Sequence, residues 1–134
     1  MMRMGFEQMA LQAAVALGSL VPIGAGLGGI LLGPRLLGPS SVSSADLDSH
    51  FRYLSGLLLA IGLGFVSTIP GIATHERRFR LLTGIVVIGG IGRLVPALLA
   101  GAPSAITIAA LAMELLVTPG LALWQRRIAR EGRS

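Results

Sequence analysis

Residues 81–124 read LLTGIVVIGGIGRLVPALLA, then GAP, then SAITIAALAMELLVTPGLALW, and this stretch decides the fold. Two apolar runs of about 20 residues are separated by Gly101-Ala102-Pro103, a tight turn without charge. At 1.5 Å per residue, about twenty helical residues cover about 30 Å, the thickness of a bilayer's hydrocarbon core. Arg93 and Glu114 are the only charges in the stretch, one in each run. The pattern predicts a transmembrane helical hairpin with spans at about 81–100 and 104–124.

Two more apolar blocks lie upstream. One covers about 51–73 and is loosened at its end by Pro70-Gly71, with a charged loop, Thr74 to Arg80, after it. The other covers about 9–32, preceded by Arg3, Glu7 and Gln8. Ser43-x-Ala45 loosely resembles a cleavage site, but the apolar run exceeds the core of a signal peptide, so this span is expected to be retained. Between the two blocks, Gly33-Pro34 and Gly38-Pro39 are helix stops and Ser40 to Ser44 is a polar run. Asp46, Asp48 or Ser49 could cap the next helix. The expected fold is all-α, an integral membrane four-helix bundle forming one domain over residues 1–134.

Composition agrees. Of 134 residues, 53% are hydrophobic and 13% charged, against about 25% charged in soluble domains. Mean hydropathy is +0.79. The absence of cysteine excludes disulfides, thiolate metal sites and cysteine nucleophiles. The net charge is +5 and every basic residue is Arg. Arg3, Arg77, Arg78, Arg80, Arg126, Arg127, Arg130 and Arg133 fall on one side of a four-span topology, and Arg35 and Arg52 on the other. Such asymmetry in short loops places both termini in the cytoplasm. The Ala/Leu/Gly/Arg bias without Lys suggests a GC-rich bacterium, and so its inner membrane. Arginines at helix ends meet anionic head groups. With a single Tyr and a single Trp there is little for bases to stack on, so nucleic acid is not an expected partner. The bilayer is, with a homo-oligomer or a larger membrane complex as further candidates.

Gly24-x-Gly26-x-x-Gly29 spells a dinucleotide-binding fingerprint, but that motif needs a preceding strand and a helix N-terminus facing phosphate. Inside an apolar span it reads as coincidence. The small residues read better as packing rows: Gly24/Gly28, Gly29/Gly33 and Gly56/Ala60/Gly64 are each four apart, and Gly89, Gly90 and Gly92 thin the third helix. Such rows let backbones approach in lipid, inside the bundle or between protomers. A charge deep in hydrocarbon costs about 2.5 to 3.5 kcal/mol on insertion scales and normally finds a partner. Counted from the turn, Arg93 and Glu114 differ in depth by about 7 Å. A pair on the interior of the two helices is therefore expected, as a structural bridge, the floor of a polar pocket or a proton relay. His50, Arg52 and Tyr53 stand at the outer mouth of the second span, as an interfacial anchor or as that pocket's rim. His75 lies among arginines on the opposite face and is expected to be solvated. No metal site, cofactor site or catalytic constellation is framed by these residues.

Phe51-Arg52-Tyr53-Leu54-Ser55-Gly56 through Gly62, Gly89-Gly90-Ile91-Gly92-Arg93-Leu94, Gly101-Ala102-Pro103-Ser104, Glu114-Leu115 and Pro119 to Arg127 together resemble the small four-helix bacterial membrane proteins grouped as domain of unknown function 4345. The resemblance implies a four-span bundle with no established activity, and marks Arg52, Arg93 and Glu114 as motif charges. The leading expectation is a non-enzymatic accessory or assembly subunit, or a self-associating bundle. The alternative is a binding or transport protein for a small amphiphile or anion that uses Arg93 and Glu114. Third is a membrane enzyme with Glu114 as acid/base.

Overall fold

In hydrocarbon a backbone must satisfy its own polar groups, and an isolated segment does so as a helix. The computed structural model describes residues 2–39 and 44–134, with side chains from Gly5 onward. Arg3's side chain and the Ser40 to Ser43 run lie outside the described residues. The four long helices are α1 (Met2–Leu32), α2 (Ala45–Val66), α3 (Glu76–Leu99) and α4 (Ala105–Glu131). No strand occurs among the described residues. Each helix is long and apolar enough to cross a membrane, and at most 22% of any apolar window is buried within the protein. Leucines and isoleucines such as Leu31, Ile88, Leu98, Leu99 and Ile106 lie open on the helix surfaces. So much exposed apolar side chain suits lipid and would be a liability in water.

The helix ends have local causes. Ser44 caps α2, its hydroxyl accepting from Leu47 N–H at 3.2 Å, so the cap is not Asp46, Asp48 or Ser49. Ser104 caps α4 in the same way through Thr107 N–H at 3.3 Å. Gly33 and Gly101 have φ of +61° and +99°, left-handed values that end α1 and turn the chain after α3. Within α4, Pro119 lacks an N–H, and the helix widens into a π turn at Met113–Val117. There Thr118 sends both its N–H and its hydroxyl, the latter at 2.7 Å, to the Met113 carbonyl.

The chain divides into two compact units, Val15–Ser67 and a second formed by Met1–Ala14 with Thr68–Ser134. In Val15–Ser67, α1 and α2 run antiparallel with backbones in contact. A Cβ on Gly26 would sit 2.5 Å from Leu59 N, and one on Gly62 2.7 Å from Ile23 Cγ1. Gly29 faces Ser55 and Phe51. The row at the contact is thus Gly26 and Gly29 on α1 with Gly33 just after its end, and Gly62 lies opposite. Gly24 has nothing within 4 Å, and Gly28 only Leu36.

In the second unit Leu11, Ile72, Phe79 and Ile128 are buried, and α3 packs along α4. Pro70 sits in a 3-10 turn, Ile69–Gly71, whose neighbouring carbonyls need donors. Gln12 Nε2 donates to Ile69 O and Gln125 Nε2 to Ile72 O, both at 2.7 Å.

Candidate functional site

The α3–α4 hairpin brings together the two charges of its apolar runs. Arg93 Nε donates to Glu114 Oε2 at 3.1 Å and Nη2 to Oε1 at 2.9 Å, a two-toothed pair. Gly90 allows it: a Cβ there would lie 2.9 Å from Leu115 Cδ2 and 3.0 Å from Glu114 Cβ, so the helices close up one turn from Arg93. Glu114 lies within the π turn, a distortion often found where a helix carries a functional group.

The pair is not sealed in the interior. The Glu114 side chain is 17% exposed, but that of Arg93 is 43% exposed. Arg93 lies six residues before Leu99 and Glu114 nine after Ala105, depths of about 9 and 14 Å below the hairpin turn. Both levels belong to the apolar part of the hairpin. Beside Arg93, a Cβ on Gly89 or Gly92 would meet nothing within 4 Å. With Ile85, Ile88 and Pro96 these glycines form an exposed stripe along α3.

Arg52 is fully engaged elsewhere. Nε donates to Asp48 Oδ2 at 2.9 Å and Nη2 to Asp48 Oδ1 at 3.4 Å, while Nη1 reaches Ile30 O at 2.5 Å and Leu31 O at 3.4 Å. The guanidinium therefore clasps the C-terminus of α1, where the last carbonyls of a helix lack partners and carry partial negative charge. A Cβ on Gly33 would lie 2.7 Å from Arg52 Nη2, so that glycine leaves room for the clasp. The His50 and Tyr53 side chains are exposed and make no hydrogen bond among the described residues. His75 is half-buried instead of solvated, with its ring against Gly71, and its buried Nδ1 has no hydrogen-bond partner among the described residues. Of the remaining small residues, Gly56 meets only Ile30 Cδ1, at 3.9 Å, and Ala60 is exposed. Gly64 supplies the carbonyl that takes the Ser67 hydroxyl at 2.5 Å.

Gly26 and Gly62 do not stand out in the sequence as contacts, nor Gln12 and Gln125 as donors. The signal for the glutamines is an amide near the end of an apolar run, facing a Pro-Gly break that frees carbonyls.

A family model described as domain of unknown function (DUF4345) matches residues 10–125. No curated protein and no solved structure matches the chain.

Proposed function

The chain belongs to the DUF4345 family, and we propose that it is a non-enzymatic membrane subunit whose α3–α4 hairpin docks against another transmembrane segment, the first partner being a second copy of itself. The observation that carries this reading is the half-exposed charge: Arg93 is paired, yet 43% of its side chain stays uncovered beside the open Gly89 and Gly92. A guanidinium edge facing hydrocarbon is costly, and small residues on an outer helix face let a second backbone approach. A segment laid on the Ile85-Gly89-Gly92-Pro96 stripe would cover that edge and leave the ion pair intact.

The arginine asymmetry supports cytoplasmic termini, and the Ala/Leu/Gly/Arg bias without Lys supports a bacterial inner membrane. The same exposed edge favours a second reading, in which a small amphiphile or anion shares the Arg93 guanidinium.

The sequence has no cysteine, so single-cysteine variants report cleanly. Gly92→Cys in native membranes should give an oxidative cross-link at twice the monomer mass, and Leu20→Cys, exposed on α1, should not. A cross-link only to a different protein would keep the docking face and replace the partner. No cross-link from either Gly92→Cys or Gly89→Cys would overturn the proposal.

A further inference from the structure

At the end opposite its turn, the hairpin gathers seven arginines: Arg77, Arg78 and Arg80 at the start of α3, and four between Arg126 and Arg133 at the end of α4. The two groups meet through Arg133, which donates to Glu76. Three carboxylates share the region and all are engaged. Glu7 accepts from Arg127 at 2.6 and 2.7 Å, Glu131 lies 3.5 Å from Arg127 Nε, and Glu76 holds Arg133. Seven cations against three anions leave a surplus of four positive charges. Arg77, Arg80, Arg126 and Arg130 are exposed and have no acidic partner among the described residues.

An open depression of about 490 Å³ lies at this end, lined by Thr74, His75, Glu76, Arg77, Arg78 and Arg133. The first N–H groups of α3 have no side-chain cap there, which adds positive potential. Within about two helical turns of the arginines, Phe6, Met9, Leu81 and Leu123 stand exposed. Surplus positive charge bordered by open apolar side chains is the complement of an anionic amphiphile.

We propose that this end of the hairpin binds anionic phospholipids, with the phosphate head group on the arginines around the depression and the acyl chains along the exposed apolar side chains. The lipid is favoured over a free phosphate because the charge surplus and the apolar border lie side by side.

Native mass spectrometry of the full chain in mild detergent, titrated with phosphatidylglycerol or phosphatidylcholine, tests the proposal. Phosphatidylglycerol should be retained preferentially, and the preference should shrink as sodium chloride rises. Arg77→Gln/Arg80→Gln/Arg130→Gln should weaken retention about fivefold per arginine, about a hundredfold together. Arg35→Gln, in the 3-10 turn Gly33–Leu37 that follows α1, should change nothing. Equal retention of the two lipids, a preference indifferent to salt, or wild-type retention by the triple variant would each overturn it. So would full displacement by inorganic phosphate at millimolar concentration, which would identify a free-phosphate site. The salt arm uses unmutated protein and holds if the triple variant fails to fold.

Discussion

Replacing Glu114 with Gln takes away the carboxylate that Arg93 grips at 2.9 and 3.1 Å, and replacing Arg93 with Leu strands the carboxylate instead. Removing one partner of a buried pair typically costs about 3 to 5 kcal/mol, because the survivor keeps its desolvation penalty. The structure makes the two cases unequal. Arg93 is 43% exposed and about 9 Å from the end of its helix, so its long stem can snorkel toward the interface. Glu114 is 17% exposed, lies about 14 Å down, and has no such reach. Glu114→Gln should therefore cost about 1 to 2 kcal/mol, below the buried-pair range, and Arg93→Leu about 3 kcal/mol or more, within it. Arg93→Leu/Glu114→Leu should return to within about 1 kcal/mol of the unmutated protein, since an apolar pair of similar volume replaces both charges. The assay is reversible unfolding in mixed micelles on all four members of the cycle. A Glu114→Gln cost equal to or above that of Arg93→Leu would contradict the unequal burial of the two charges, and additive costs in the double variant would contradict their pairing.

Four other substitutions follow from the packing and the hydrogen bonds. Gly26→Ala should destabilise by about 1 to 3 kcal/mol as overpacking, because its Cβ would stand 2.5 Å from Leu59 N. Gly24→Ala, in open space, should be neutral or slightly stabilising in the same unfolding assay. Arg52→Leu should cost about 1 to 2 kcal/mol through lost charge-assisted hydrogen bonds on a half-exposed group, and should speed hydrogen exchange at the C-terminal end of α1. Gln125→Leu should cost about 1 to 3 kcal/mol, because Gln125 is 1% exposed and Ile72 O would lose its donor.

The helices are legible in the sequence because runs of about twenty apolar residues have one common solution in lipid. The Arg93–Glu114 contact is legible for a related reason: two opposite charges at similar depth in adjacent apolar runs are each costly alone. How much of Arg93 is covered is not legible, since coverage depends on helix rotation, and neither run has a polar face to fix it. Which small residues meet another helix is hidden for the same reason. Gly24, Gly26, Gly28 and Gly29 offer several offset rows at helical spacing, and only the approach of α2 selects Gly26 and Gly29. Asp46 and Asp48 are good cap types, but Asp48 is taken by Arg52 and Ser44 caps the helix. The π turn is hidden behind a span that hydropathy reads as uniform; its local cue is Thr118-Pro119.

Accessibility separates the proposed topology, four crossings with the arginine-rich ends in the cytoplasm, from its alternatives. Ser44→Cys and Ser134→Cys, each the only cysteine in its chain, are exposed to an impermeant maleimide on intact spheroplasts and again after the membrane is broken. Labelling is expected at position 44 on intact spheroplasts, and at position 134 only once the membrane is open. Labelling at 134 but not at 44 on intact spheroplasts would invert the orientation. Labelling at both would put an even number of crossings between the two positions and contradict the three proposed for α2, α3 and α4.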